Sequence, residues 1–226
     1  MPPVPRPFPR FIADSPQEGR PYGRWEDRLA EEFAKACRGH SSEAGSLLDR
    51  ETLKWFPERG WAGRIYVPAT GRGSDPVARE GEVGESDEAG EAAPVEYFGW
   101  VSFERPGEGE PGQLRASADF TDVTAEDNPG WRIDLSDDVI GSWRAEGERG
   151  ADVTLVWGLP LVRGAVAATA ELEDEVVDQA AVQDGRFTLL AVDAVRGFGD
   201  DLFLEVKLWD RTLREIAAES LYAEAE

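Results

Sequence analysis

Residues 95–103, Val-Glu-Tyr-Phe-Gly-Trp-Val-Ser-Phe, decide the fold class of this chain of 226 residues. Val95, Tyr97, Val101 and Phe103 fall on one face of an extended strand, because successive side chains of a strand point to opposite faces. The same period of two returns in stretches that begin near residues 114, 153, 166, 187, 202 and 215. Alternation with one polar face is typical of antiparallel sheets. The sequence therefore predicts a mainly β protein (α+β by count), an antiparallel β-sandwich or barrel of about nine or ten strands with a short helical N-terminal segment.

The helical segment shows a different period. Trp25, Leu29, Phe33 and Cys37 recur at four-residue steps, which predicts a helix over residues 24–38 with one apolar stripe. This stripe is expected to pack on the sheet.

A second short helix is predicted from Ser46, with Asp49 three residues later, to Phe56, which precedes a proline. We therefore expect residues 24–60 to be a helical segment that packs on the sheet. Residues 61–226 are then expected to form the antiparallel β domain.

Residues 68–94 interrupt the β pattern. They lose almost all apolar side chains and hold seven acidic residues against two arginines. Such a composition cannot bury enough apolar surface to offset the entropy of ordering, so we predict a disordered acidic loop within the β domain.

Residues 1–23 are predicted to form a proline-rich extended arm, with prolines at positions 2, 3, 5, 7 and 9. Phe8 and Phe11 can fill apolar pockets, and Arg6 and Arg10 can pair with carboxylates. The arm and the arginine that follows it hold four basic and two acidic residues, a sum of +2. Our hypothesis is that the arm packs on the protein's own sheet or on that of a neighbouring subunit.

The charge balance excludes several partners. Acidic residues outnumber basic ones by 46 to 24, and the formal net charge is −22. A chain with no basic face is a poor partner for nucleic acid or for an anionic membrane. No apolar run has the length of a signal peptide's core or of a membrane span, so a cytoplasmic location is expected. Arginine supplies most of the positive charge, which favours bacterial-like high-GC codon usage over the alternative of a salt-adapted acidic surface.

Two groups of residues have the chemistry for catalysis, and we favour a structural interpretation of each. Cys37 and His40 have a spacing that suits a nucleophile–base dyad, but Cys37 lies on the apolar stripe, and two ligands cannot close a zinc site. Glu171, Glu173 and Glu175 alternate like the acidic strand of some β-sandwich glycosidases, but a solvated strand end explains them as well. No catalytic residue is assigned.

Asp137, Asp138, Asp200 and Asp201 are calcium candidates, because they cluster in two predicted acidic loops. Neither stretch has the glycine spacing of a calcium-binding loop. A helix N-cap at Ser136 and a hairpin loop explain the two clusters better. We therefore expect no metal and no cofactor.

Trp100 and Trp209 are the interaction candidates among the eight tryptophans, because each falls on the less apolar face of its strand. Together with Arg6, Phe8, Arg10 and Phe11 they favour a non-catalytic protein-interaction or structural accessory module, acidic and soluble. The partner is expected to be a protein or a second copy of the chain. A β-barrel carrier of a small molecule or lipid and a carboxylate-based hydrolase are the alternatives.

Overall fold

The computed structural model describes residues 25–39, 48–74, 94–104, 112–144, 150–172, 175–192 and 204–221. In this part of the chain the protein is mainly β with antiparallel sheets and one α-helix, which confirms the predicted fold class. Residue contacts divide it between Pro129 and Gly130 into two compact units. The strands predicted as one β domain over 61–226 are shared between these units.

The first unit, called the helix-backed unit, places one helix on one sheet. Its elements are α1 (Glu26–Arg38), a 3-10 turn (Arg50–Thr52), β1 (Lys54–Trp55), β2 (Arg59–Trp61), β3 (Arg64–Ser74), β4 (Pro94–Glu104) and β5 (Gly112–Thr121). The strands form sheet A in the order β1-β3-β4-β5, with β2 also beside β3. All of these pairings are antiparallel.

The core of the helix-backed unit contains the residues predicted from the four-residue spacing in the helix and from the two-residue alternation in strand β4. Leu29, Phe33 and Cys37 of α1 are fully buried against alternate residues of β4, among them Tyr97 and Val101. Gly99 continues the apolar side of β4, where it has a φ of +155° and where a Cβ atom would lie 2.1 Å from the Ser117 carbonyl oxygen. Only glycine fits this close approach of β4 to β5.

Two boundaries differ from the sequence predictions. The helix predicted from Ser46 to Phe56 is wrong, because the chain makes only the 3-10 turn and then strand β1. The Asp49 carboxylate accepts a hydrogen bond from the Glu51 amide and caps this turn, so Asp49 is itself the N-cap and not the third residue of a helix that begins at Ser46. The loop predicted over 68–94 begins too early, since β3 pairs with β4 as far as Ser74 opposite Pro94. Residues 75–93 lie outside the described part of the chain.

The second unit, called the sandwich unit, contains two sheets. Its strands are β6 (Ile133–Arg144), β7 (Gly150–Pro160), β8 (Ala167–Leu172), β9 (Glu175–Ala181), β10 (Phe187–Val192), β11 (Leu204–Trp209) and β12 (Glu215–Leu221). Sheet B has the order β10-β7-β6, and sheet C has the order β12-β11-β8-β9.

Sheets B and C share one hydrophobic core. Phe187 and Leu189 from sheet B are fully buried in the same cluster as Val206 and Leu208 from sheet C. Two sheets that face each other across such a core form a β-sandwich. Of the two predicted alternatives, the sandwich is therefore observed and the closed barrel is not.

Residues 136–138 are a second correction to the local predictions. Ser136 is not a helix N-cap, and Asp137 and Asp138 do not lie in a loop, because all three belong to β6 and pair with β7. Ile133 and Leu135 alternate inward from this strand and contribute to the sandwich core. Burial of these two side chains outweighs the weak local capping signal.

None of the described helices has both the length and the apolar content that crossing a bilayer requires.

Candidate functional site

The two tryptophans predicted as interaction residues lie in different units but in equivalent positions. Trp100 alternates with the buried residues of β4, so it lies on the face of sheet A opposite α1. Trp209 alternates with Leu208 in β11, so it lies on the face of sheet C opposite the sandwich core. Both side chains are half-buried. We call their surroundings the Trp100 surface and the Trp209 surface.

The Trp209 surface is a hydrogen-bonded row across β8 and β11. Register places Thr169 opposite Lys207 and Glu171 opposite Glu205 on this face. The Trp209 Nε1 donates to Thr169 Oγ1 at 2.9 Å, and that hydroxyl donates to Glu171 Oε1 at 3.0 Å. The indole ring is therefore held in one orientation by a buried polar chain.

Lys207 lies between two carboxylates on the same surface. Its Nζ is 2.6 Å from Glu171 Oε2 and 2.8 Å from Glu205 Oε2. The Glu171 side chain is 5% exposed and the Lys207 side chain 15%, so this ion pair is shielded from solvent. Burial alone would lower the pKa of Lys207, but the hydrogen bonds to Glu171 and Glu205 outweigh burial and raise the pKa above its ordinary value. Lys207 is therefore a fixed cation and not a nucleophile.

A shallow depression of about 390 Å³ is formed by the turn that follows Trp209 and by the turn before β8. The Val166 amide donates to the Trp209 carbonyl oxygen at 2.8 Å, which connects the backbone of Trp209 to a residue that lines the depression. The lining residues come from the turn before β8 and the turn after β11: Gly164, Ala165, Val166, Asp210, Arg211 and Thr212. The hydroxyl of Thr212 and the amide of Arg214 hydrogen-bond to Asp210 and lower its pKa to about 2. Asp210 thus fixes the turn, while the Arg211 side chain is exposed at the rim.

The Trp100 surface has a different composition. Its indole packs edge-on against Tyr66, with ring centroids 5.2 Å apart at an angle of 71°. The Arg64 guanidinium donates to the Gln113 carbonyl at 2.6 Å and to the Ser102 carbonyl at 3.1 Å. Burial raises the pKa of Tyr66, although the positive charges of Arg64 and Arg115 act in the opposite direction. This surface therefore combines two aromatic rings with the Arg64 cation, whose Nη1 also lies 4.0 Å from Glu104 Oε1.

Among the other candidate residues that the structure describes, Glu171 belongs to the Trp209 surface, whereas Cys37, Asp137 and Asp138 lie elsewhere. Arg6, Phe8, Arg10 and Phe11 lie outside the described residues, as do Asp200, Asp201 and His40. Asp137 and Asp138 are neighbours in a strand, so their side chains leave opposite faces of sheet B. Over the described ranges, no group of three or more His, Cys, Asp or Glu residues is placed to hold a metal ion.

Cys37 and Glu171, which belong to the two groups of residues with chemistry suited to catalysis, are both buried. Burial raises the pKa of the Cys37 thiol to about 12, so the thiol stays protonated and unreactive at neutral pH. Glu171, the first residue of the predicted acidic row, is buried and bound to Lys207, whereas Glu175 starts the next strand and is exposed. Residues 173 and 174 lie outside the described part.

Sequence reasoning missed Lys207, which organises the Trp209 surface. Lys207 and Glu171 are 36 residues apart, and only the register of β8 with β11 makes them neighbours. It also missed the two most exposed tryptophans of the described chain, Trp143 (49% exposed) and Trp131 (37%). Trp143 lies in β6, where the sequence predicts a helix start at Ser136, and Trp131 precedes that strand.

No family model matches the chain, and neither curated proteins nor solved structures match it.

Proposed function

We propose that this chain is a non-catalytic protein-interaction module that recognises its partner through the Trp209 surface. The observation that carries the proposal is the fixed indole of Trp209, in the residue just before a turn that lines a shallow depression. An aromatic side chain that is already held in one rotamer loses little entropy on binding, and tryptophan is among the residue types enriched at binding hot spots.

The charges of the Trp209 surface support binding better than catalysis. A catalytic acid or base must lie within hydrogen-bond reach of the substrate proton that it transfers, roughly 2.6–3.2 Å. Lys207 holds Glu171 and Glu205 in ion pairs, and the Asp210 carboxylate is held by its own turn. This arrangement favours an interaction module over the alternative of a carboxylate-based hydrolase.

The shape of the depression favours a protein partner over a carried small molecule. Ligand sites of carriers enclose most of the surface of their ligand. The depression beside Trp209 lies between two surface turns, and side chains fill the core between sheets B and C. A depression of this kind suits one side chain of a partner protein, while Trp209 contacts a neighbouring part of the same partner.

The net charge of −22 favours a partner with a basic surface. Electrostatic attraction of this kind raises the association rate and weakens with salt. The acidic and soluble character of the module thereby contributes to the choice of partner.

The test is co-purification from the native host with three baits: the wild-type chain, Trp209→Ala and Trp143→Ala. Trp143 is the matched control, because it is an exposed tryptophan of the same unit outside the Trp209 surface. A partner recovered by the wild type and by Trp143→Ala, but lost with Trp209→Ala, supports the proposal. Equal recovery by all three baits contradicts it.

Thr169→Val provides a finer variant for the same experiment. It removes the acceptor of the Trp209 Nε1 hydrogen bond while it keeps the ring and nearly the same volume. A freed ring must be ordered again on binding, so we expect partial loss of recovery, between the wild type and Trp209→Ala.

A further inference from the structure

Strand β6 forms the outer edge of sheet B in the described part of the chain. It is 12 residues long, and Val139 near its middle is 44% exposed. The opposite edge, β10, differs because the Asp178 carboxylate accepts a hydrogen bond from the Leu190 amide at 2.8 Å. Long sheet edges with apolar side chains invite aggregation, and stable proteins cover or blunt them.

One hydrogen bond shows which backbone groups of β6 point away from β7. The Leu161 amide donates to the Arg132 carbonyl oxygen at 2.9 Å, so the backbone of Arg132 is directed toward β7. In an antiparallel ladder this direction alternates along the strand. The backbone groups of Ile133, Leu135 and Asp137 are therefore directed to the outer side of β6, and those of the residues between them to β7.

The N-terminal arm has the pattern of a strand that can pair on one side only. Prolines at 3, 5, 7 and 9 alternate with Val4, Arg6, Phe8 and Arg10, which carry the amide N–H groups. In a strand, alternate residues direct their backbone groups to the same neighbour. All four N–H groups would thus face one strand, while the prolines would face away and prevent any further strand from adding.

We infer that residues 4–10 of this chain pair with the outer side of β6, with Arg6 opposite Asp137. An antiparallel register then places Val4 opposite Val139 and Phe8 opposite Leu135. The two outer pairs, Val4 with Val139 and Phe8 with Leu135, join apolar side chains. The central pair joins the opposite charges of Arg6 and Asp137.

The side chains of these β6 residues favour the same occupant. Leu135 is half-buried against the sandwich core, so a phenylalanine beside it extends that core at the sheet edge. Asp137 alternates with Leu135 and Val139 on that face of the strand. Residues 10–24 connect the paired segment to α1 and can span about 45 Å when they are extended. This length is several times the radius of gyration of about 13 Å for a unit of this size, so chain length does not prevent the pairing.

The pairing closes the edge of sheet B with a strand that cannot itself be extended. This inference is independent of the proposed function of the Trp209 surface. It assigns the proline alternation a role in protecting the sheet edge.

The test is a disulfide trap between Arg6→Cys and Asp137→Cys. Opposite residues of a hydrogen-bonded antiparallel pair lie about 5.5 Å apart at Cα, which is within the disulfide range of roughly 4.4–6.8 Å. The native Cys37 is fully buried with a raised pKa, so it does not compete. The matched control is Arg6→Cys with Asp138→Cys, because the side chain of Asp138 points to the other face.

Under mild oxidation we expect an intramolecular disulfide for the 6–137 pair, in a yield about tenfold above that of the 6–138 pair. Equal yields, or no disulfide in either protein, would overturn the inference. A disulfide-linked dimer would also overturn it, because the strand would then come from a second copy.

Hydrogen exchange on the unmodified protein tests the same pairing without substitutions at the edge. The amides of Arg6 and Phe8 should exchange at least about 100-fold more slowly than in an unstructured peptide. Exchange at the unstructured rate contradicts the inference, whatever the disulfide experiment gives.

Discussion

The Trp209 surface and the Trp100 surface hold their tryptophans by different means. In sheet C a hydroxyl fixes the indole through its N–H group, and the hydroxyl belongs to a row that ends in a shielded ion pair. In sheet A the indole packs against Tyr66, and the nearby cation, Arg64, donates to two backbone carbonyl oxygens and to the Ser102 hydroxyl. The same alternation in sequence thus leads to a polar, directional support in one case and to an aromatic contact in the other.

The difference predicts that charge removal harms the Trp209 surface most. Lys207→Met leaves the buried Glu171 carboxylate without its cation, and breaking one side of a buried ion pair costs about 3 kcal/mol of unfolding free energy. Chemical denaturation of the variant at pH 7 measures this loss. The control is Lys207→Met combined with Glu171→Gln, which removes both charges and should recover most of the stability. A single variant as stable as the wild type would show that the pair is not shielded.

Arg64→Met is the corresponding change in sheet A. It leaves the Ser102 and Gln113 carbonyls without their donor, for an expected loss of about 2 kcal/mol. Both carbonyls accept from a side chain that is only 11% exposed, but they carry no net charge, so the loss should be smaller than for Lys207→Met. Denaturation under the same conditions compares the two, and a larger loss for Arg64→Met would reverse the ranking of the two surfaces.

Alkaline pH should weaken the Trp209 surface selectively. Because the pKa of Lys207 is raised in the folded state, its contribution is complete below the unfolded lysine value of about 10.4 and is lost as pH rises toward the higher folded value. The stability of the wild type relative to the Lys207→Met, Glu171→Gln protein should therefore fall above that pH, whichever of the two is more stable at pH 7. Both proteins keep Cys37, whose raised pKa also makes stability fall in alkali, so the difference isolates Lys207. A constant difference up to the highest pH reached would contradict the shift.

The smallest effect is expected at the solvent end of the row. Glu205 is 35% exposed, and Lys207 keeps its bond to Glu171 when Glu205 is changed. Glu205→Gln should therefore cost no more than about 0.5 kcal/mol, the usual range for an exposed pair. A loss comparable to that of Lys207→Met, measured by the same denaturation, would mean that the three charges act as one unit.

The sequence predicted the parts of the fold that depend on local periodicity. The buried alternation of Tyr97 and Val101, and the apolar stripe of Leu29 and Phe33, are both present in the core of the helix-backed unit. Where a local capping signal competed with packing, as at Ser136, packing prevailed and the prediction was wrong.

The arrangement of the Trp209 surface could not be predicted from spacing. The contact of Lys207 with Glu171 depends on the register of β8 with β11, and register follows from the packing of whole strands. Alternation did identify Trp209 itself as lying away from the core. It could not show that Thr169 accepts the indole N–H group, because that contact joins residues 40 positions apart.

The most direct test of the account compares Trp209→Ala with Trp100→Ala in binding to the partner recovered from the native host. Both changes remove a half-buried indole from the outer face of a sheet, so each controls for the other. Isothermal titration calorimetry should show about 30-fold weaker binding for Trp209→Ala, which corresponds to a hot-spot loss of about 2 kcal/mol. Trp100→Ala should leave the dissociation constant within about twofold of the wild-type value. Undiminished binding by Trp209→Ala, or an equal loss in both variants, would contradict the assignment of recognition to the Trp209 surface.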